Sequence, residues 1–504
     1  MAAANLYHAL YAGKGERAAI IVPGGATYTY AALERTTGRV AAALAATGVT
    51  RGDRVSFLME KSPAPIVLAH ACLRLGAILH PLNTSYTNVE ISALLADAVP
   101  RLLVGEERAA GRLKPIAEAT GARFATLGDG DSGSLGMLAA SARELPPIAD
   151  VGGDDVAAIL YTSGTTGRPK GAMITHRNLI ESANALDEVW GVTERDALLH
   201  ALPVYHAHGL LTSLNVMLRA GASVIFLPRF EVRDVVAALP LATVMMGVPT
   251  FYARLLKEPG IDAAMRHMRV LISGSAPLPL DLADRFERAT GHTLIERYGS
   301  TEAAIITAIP PGTKGRAGWV GWPLPGVEVR LRHDDGSRSA RGIGVLETRG
   351  HNVFRGYWRN PEADALALLE GGWFDQGDIA EVDAEGCIRL LGREKDLIIS
   401  GGLNVYPKEV ETVLDTLTGI ETSAVFGVPH PDFGEAVVAA VELKVGHVLD
   451  EAAAVAGARA QLAAYKTPKR ILAVAEIPRN RMGKVDKKVL REEWKGLFTG
   501  PANS

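Results

Sequence analysis

An α/β fold, built on a parallel or mixed sheet covered on both faces, is predicted by three features of this sequence. Helix-like and strand-like patterns alternate through residues 1–150, which is the signature of strands joined by crossover helices. The chain is 504 residues long, enough for two to four domains at about 150 residues each. Apolar residues make up 48% and charged residues 22%, the balance of a water-soluble globular chain with an ample core.

The elements follow in order. Tyr28–Glu34 reads as a turn entering a helix, with Thr29 placed to cap it. Arg54–Met59 reads as a strand, Ala64–Leu75 as a helix, and Gly76–Asn83 as the next strand with its exit loop. Val156–Leu160 is a short apolar run expected as a buried strand, and Thr175–Leu179 opens another helix. Val224–Pro228 and Thr243–Pro249 are strand-like, the second ending at a Pro-Thr turn. Leu271–Pro277 is a strand opening into a loop of small residues, where a planar ligand can approach the backbone.

Composition excludes several classes. A net charge of -3 gives no case for nucleic acid as a partner. Cys72 and Cys387, far apart in sequence, form neither a disulfide framework nor a metal set, so a reducing cytoplasmic location is expected. The first residues lack the basic segment and apolar core of a secretory signal. The longest apolar stretch, Val235–Val248, is interrupted by Pro240, so no membrane association is expected.

The chain is organised around Tyr161–Gly171, which reads Tyr-Thr-Ser-Gly-Thr-Thr-Gly-Arg-Pro-Lys-Gly. Glycines let a backbone curl and expose its N–H groups, while hydroxyls and Lys170 add donors, so this loop suits an anion with several oxygens. It is not a Walker loop, because the lysine stands three residues after the second glycine and is followed by Gly171. Downstream, His206 and His208 are two apart, with no Cys or carboxylate nearby to complete a zinc set. In Ile295–Glu302, Tyr298 suits stacking on a purine, Thr301 an α-phosphate, and Glu302 a magnesium ion, a hard cation that takes carboxylate and phosphate oxygens.

Three further stretches complete the pattern: Gly371–Asp378, Gly392–Asp396 with Ser400–Pro407 behind it, and Pro478–Val485. Together, in this order, they resemble the adenylate-forming superfamily of acyl-CoA synthetases, luciferases and peptide-synthetase adenylation domains. The resemblance covers essentially the whole chain and implies a large N-terminal domain of mixed sheets flanked by helices, residues 1–394. A small mobile α+β domain, residues 395–504, would follow it, with the hinge at Lys395. It implies ATP, Mg²⁺ and CoA as co-substrates or cofactor, and a reaction in which ATP and a carboxylate give an acyl-adenylate that CoA then attacks.

The same resemblance distributes roles. Thr162, Ser163, Gly164, Thr165, Thr166, Gly167 and Lys170 would hold the ATP phosphates, with Thr162 and Glu302 at the metal. Gly274, Ser275 and Ala276 would flank adenine, and Glu296, Arg297, Tyr298, Gly299 and Thr301 would complete the nucleotide site. Asp378 and Arg393 would take the ribose, and Gly401 and Gly402 would line the thiol tunnel. His206 would reach the reacting carboxylate, and Lys484 would be the catalytic lysine. Lys484 is also a plausible target for regulatory acylation, which removes its charge.

Arg297 points to the acid. A cation in an acyl pocket is costly unless an anion neutralises it, and a guanidinium grips a carboxylate through paired hydrogen bonds. A short dicarboxylic acid is expected, unless Arg297 instead pairs internally with Glu296. The run Glu-Arg-Tyr-Gly, with Gly247–Tyr252 and Ser273–Pro277, resembles malonyl-CoA synthetases in particular. Those usually carry Thr between the two histidines and Met before the Thr-Glu pair, whereas this chain has Ala207 and Ser300. The smaller side chains imply room at C2 of malonate. A ligase for another short acid, and a nucleotide-binding scaffold without activity, are the competing readings.

Overall fold

The computed structural model describes residues 4–162, 169–401, 403–480 and 483–498. The chain divides into two compact units, Met1–Leu278 with Leu282–Glu328 and Thr348–Phe374, and Pro279–Asp281 with Val329–Glu347 and Asp375–Ser504.

The first unit opens with a hairpin of β1 (Ala18–Ile21) and β2 (Thr27–Thr29). Thr29 then caps the helix Tyr30–Ala46 by accepting from the Ala32 amide, as its sequence position predicts. Next come β3 (Arg54–Leu58), β4 (Ile78–Pro81), β5 (Leu102–Gly105), β6 (Arg123–Thr126), β7 (Val156–Thr162) and β8 (Lys170–Thr175). They form a sheet in the order β6-β5-β3-β4-β7-β8. It is parallel up to β7, and β8 pairs antiparallel with β7. The helix Pro63–Leu75 is buried on every side, which is why its sequence is apolar all round rather than striped.

A second sheet adds β9 (Ala197–His200), β10 (Ser223–Phe226), β11 (Val244–Gly247), β12 (Val270–Ser273), β13 (Leu294–Gly299), β14 (Ile305–Ala308) and β15 (Trp322–Pro323). Its order is β15-β14-β13-β12-β11-β9-β10-β1-β2. The strand ends β11 to β13 therefore lie side by side and in parallel, the arrangement that gathers ligand-binding loops at one sheet edge. Tyr252 locks this region from below, with its hydroxyl donating to the Ile272 carbonyl at 2.7 Å and its ring edge-on to Phe286. The expected turn at Pro249 is instead the first position of the helix Pro249–Leu255, where the fixed φ of proline and its missing N–H cost nothing. The apolar stretch 235–248 divides between the helix Val232–Ala238, a 3₁₀ turn and β11. Among the described residues, no helix is long and apolar enough to cross a membrane.

Beyond β15 the chain forms β16 (Val327–Arg332), β17 (Arg338–Ser339), β18 (Gly342–Gly350), β19 (Leu368–Leu369), β20 (Trp373–Val382) and β21 (Ile388–Arg393). They lie in the order β17-β16-β18-β20-β19, with β21 beside β20. A 3₁₀ turn at Glu394–Asp396 leads to β22 (Ile398–Ser400) and β23 (Leu403–Val405). The long hairpin of β24 (Ile420–His430) and β25 (Gly434–Leu443) follows, with β26 (Arg470–Ala473) parallel to β25. Alternation along this hairpin supplies two cores. Val425, Val437, Ala439 and Val441 face Val410 and Leu414 on one side, while Phe426, Val438 and Ala440 face Ile477 and Leu490 on the other. This mixed α/β chain, with a smaller α+β portion at its C-terminal end, has the predicted fold class.

Candidate active site

The phosphate-loop stretch is the connection of a β-hairpin. Tyr161 pairs with Gly171 and Thr162 with Lys170 across β7 and β8. Ser163, Gly164, Thr165, Thr166 and Gly167 lie outside the described residues. The stretch leads into a strand, β8, rather than into a helix, so no helix dipole is at hand for an anion there. Gly171 is fixed by close packing, since a Cβ there would stand 2.9 Å from Ile159 and 3.3 Å from Trp358.

At the mouth of this hairpin, Glu302 Oε1 accepts from Thr162 Oγ1 at 3.0 Å and from the Tyr357 hydroxyl at 3.2 Å. Burial, reinforced by the Glu302 carboxylate, raises the Tyr357 pKa, so the phenol stays a donor. Lys170 Nζ lies 5.1 Å from the centre of the same ring. A carboxylate and a threonine hydroxyl in contact form the hard oxygen set that Mg²⁺ prefers, so these residues fit the metal that the sequence implies.

Arg297 occupies β13 and is only 8% exposed. Its neighbour Glu296 lies on the opposite face of the strand, as alternation requires, and accepts there from the Leu278 amide at 3.1 Å. Among the described residues no carboxylate pairs with Arg297, and its buried Nε has no hydrogen-bond partner. Burial alone pulls its pKa down to about 10. The internal ion pair with Glu296 is therefore replaced by an uncompensated buried cation. The guanidinium lies against Gly274, where a Cβ would stand 2.7 Å from Cζ and Nε.

Beside it, Ser275 adopts a left-handed backbone conformation with φ of 68°, unusual for a residue with a side chain. Its Oγ meets His208 Nδ1 at 3.1 Å. Burial, and then the nearby Arg297 charge, hold His208 neutral, well below the usual imidazole pKa. His206 is half-buried, and its Nδ1 accepts the His208 amide at 3.2 Å. Sequence reasoning gave His206 the larger role. It is His208, the first residue of a π-helical turn over His208–Ser213, that the structure brings to Ser275 and the charge of Arg297, and no signal in the sequence distinguished it from His206.

Ala207 is half-buried immediately before that turn, and Ser300 is half-buried just past β13, with its Oγ accepting the Ala303 amide at 3.1 Å. Tyr298 is buried on the Glu296 face of β13, and Thr301 is half-buried. Gly299 admits no side chain, because a Cβ would stand 1.8 Å from the Ala304 carbonyl oxygen. Ala276 is exposed in the loop after β12. Tyr357, which sequence reasoning did not single out, reaches Glu302 from the 355–358 segment held to β8.

In the second unit, Asp378 and Arg393 are register partners on β20 and β21, with Nε 2.8 Å from Oδ1. The carboxylate is nearly buried and the guanidinium half-exposed. Lys395 stands in the middle of the Glu394–Asp396 turn. Gly401 follows β22 with φ of 61° and donates its amide to the Phe433 carbonyl at 2.8 Å, while Gly402 lies outside the described residues. Lys484 is exposed on a tight turn closed by the Arg479–Val485 bridge. Asn480 organises this turn, since its Oδ1 accepts the Lys484 amide at 3.1 Å and its own amide donates to the Lys484 carbonyl at 2.7 Å.

Known proteins resemble this chain over most of its length. The family model described as AMP-binding enzyme matches residues 8–358, and that of the AMP-binding enzyme C-terminal domain matches 409–484. The mitochondrial malonate–CoA ligase ACSF3 of Mus musculus is 36% identical over 489 residues, covering 88% of this chain and 82% of that protein. A feruloyl-CoA synthase of Amycolatopsis sp is 37% identical over 479 residues, covering 94% and 95%. The crystal structure of ATP-bound MatB from Rhodopseudomonas palustris superposes with a TM-score of 0.95 at 44% identity, covering 98% of this chain and all of that one.

Proposed function

We infer that this chain, which belongs to the AMP-binding enzyme family, is an AMP-forming acid–CoA ligase that acts on malonate and C2-substituted malonates. The observation that carries the choice of acid is Arg297, a buried guanidinium with no carboxylate partner among the described residues. A pocket for an uncharged acyl chain has no use for such a group, whereas a second carboxylate neutralises it, gaining about 1.5–3 kcal/mol for the charged hydrogen bond. Relatives named for malonate and for ferulate are about equally similar, and Arg297 favours the former.

The residues account for the reaction as follows. Arg297, Ser275 and His208 orient the acid by its distal carboxylate and leave the other free to attack the α-phosphorus of ATP. His206 lies in the same segment and would reach the reacting carboxylate. The Thr162–Lys170 loop and Lys484 supply positive charge and donors where two anions must meet. Mg²⁺, held by Glu302 with Thr162, would polarise the phosphate oxygens. Asp378 and Arg393 would take the ribose hydroxyls, and Gly274, Ser275, Ala276, Glu296, Tyr298, Gly299 and Thr301 would frame the nucleotide. The domain limits proposed are 1–394 and 395–504. Rotation at Lys395 would exchange Lys484 for the Gly401–Gly402 face, against which the CoA thiol would approach. Acylation of Lys484 would stop the first step by removing its charge. The two cysteines, both free and buried, fit a reducing compartment such as the cytoplasm.

A substrate panel tests the proposal. Pyrophosphate release is measured with malonate, methylmalonate, ethylmalonate, succinate, acetate and ferulate. Malonate and methylmalonate are expected within about tenfold of each other in kcat/KM, since methyl-sized discrimination is worth roughly 1–3 kcal/mol, and both far above acetate and ferulate. A malonate preference of a hundredfold or more over methylmalonate removes the argument from Ala207 and Ser300. Ferulate as the best acid overturns the role of Arg297.

A further inference from the structure

We infer that Arg332 and Arg491 are positioning residues that confine the turning of the chain to Lys395, each gripping one of its neighbours. On the upstream side, Arg332 Nη2 lies 3.1 Å from Glu394 Oε1 and 2.9 Å from Asp375 Oδ2, and its Nε lies 3.6 Å from Oε1 of the fully buried Glu347. Glu394 is thereby tied to β16, β18 and β20. On the downstream side, Arg491 Nη1 lies 3.0 Å from Asp396 Oδ1 and donates to the Lys395 carbonyl at 3.4 Å.

Arg491 sits on the helix Lys487–Trp494, which is anchored by fully buried Leu490 and by Lys487, whose Nζ lies 2.6 Å from Glu411 Oε1. That helix is capped by Asp486, two residues after Lys484. Asp396 and the catalytic-lysine turn therefore belong to one body. Between the two grips, the Lys395 side chain makes no hydrogen bond or ion pair among the described residues. The φ and ψ of this residue are spanned by the turn's own bond, from the Leu397 amide to the Glu394 carbonyl at 3.1 Å, so turning here has that single backbone bond of the turn to break. An exposed single pair holds little, but these arginines are about three-quarters buried and Arg332 joins three carboxylates at once. The assignment rests on the reading of Lys395 as the hinge.

Trypsin, which cuts after lysine, reports on the joint directly. The full-length enzyme and the variants Arg332→Gln, Arg491→Gln and Arg491→Lys are digested briefly, and cleavage of the Lys395–Asp396 bond is followed by fragment mass. Single-turnover rates of adenylate formation, and of CoA transfer from a supplied acyl-adenylate, are measured with the best acid of the panel. Each Gln variant is expected to speed cleavage at this bond about fivefold or more relative to other sites. Each also slows adenylate formation about tenfold, with KM for ATP nearly unchanged, and Arg491→Lys recovers part of both effects. Unchanged cleavage at Lys395, or rates that fall only in step with the folded fraction, overturns the proposal. Lys395→Pro separates the underlying reading: sparing one half-reaction and blocking the other supports the hinge, whereas sparing both removes the hinge whatever the arginine variants do.

Discussion

Gly274 and Arg297 are packed so closely that a Cβ on the glycine would stand 2.7 Å from both Cζ and Nε of the guanidinium. If Arg297 holds the acid as proposed, the glycine belongs to that pocket although it offers no side chain. Gly274→Ala should push the guanidinium away and lower kcat/KM for the dicarboxylate about tenfold or more, some 1.4 kcal/mol. KM for ATP should change less than about threefold, and steady-state kinetics with each substrate varied in turn decides it. An equal loss toward both substrates assigns the glycine to the nucleotide frame or to general packing instead.

Glu302 receives two hydroxyl donors, from Thr162 and Tyr357. Tyr357→Phe removes one while leaving the carboxylate in place. The Mg²⁺ concentration for half-maximal activity is expected to rise about 10–100-fold, the usual loss when a supporting partner of a metal ligand is removed. Titration of the nucleotide-bound enzyme with Mn²⁺, read by its paramagnetic signal, provides a second measure. Glu302→Gln should weaken both further, and unchanged metal dependence in both variants would falsify the metal role.

Asn480 shapes the turn that carries Lys484 through its Oδ1 and its own amide. Asn480→Ala should slow adenylate formation by about tenfold by loosening that turn, and Lys484→Ala should abolish it. Both variants are expected to turn over a supplied acyl-adenylate with CoA at nearly the normal rate. Loss of both half-reactions in Asn480→Ala, with normal thermal stability, contradicts the assignment.

Buried histidines, His70, His80 and His176 among them, make the fold acid-sensitive. Burial lowers the pKa of His70 to about 4, of His80 to about 3 and of His176 to about 4. In the unfolded chain each titrates near about 6.5, so below that pH the unfolded state binds protons that the fold excludes, and stability present above pH 6.5 is lost as the pH falls. Between pH 7.5 and 5.5 each should cost about 1 kcal/mol of unfolding free energy. Denaturant melts of the wild type and His80→Gln at both pH values test this, with a shallower pH dependence expected in the variant.

Much of the reaction chemistry could be read from the sequence, because it depends on local runs of residues. The Tyr161–Gly171 run, the Thr301–Glu302 pair and the Asn-x-x-Gly-Lys run ending at Lys484 each lie within a dozen residues, and it was their resemblance, in this order, to a known family that pointed to the reaction class. Strand and helix starts such as Thr29 and Thr175 were legible for the same reason, since a cap acts on its own next turn. Pro249 was misread because a proline suits both a turn and a first helical turn, and packing behind β11 decided between them.

What the sequence determined by itself was the kind of fold and the kind of reaction, both written in periodicity and short motifs. Tertiary structure decided whether Arg297 is free for a ligand. Strand alternation turns Glu296 to the other face, and the parallel neighbours β12 and β13 bring Gly274 beside the guanidinium. It also decided that His208 rather than His206 meets Ser275, and that Tyr357 joins Glu302 from 55 residues away. Such contacts link residues distant in sequence, and only the pairing of strands and the exclusion of water from the core bring them within bonding distance.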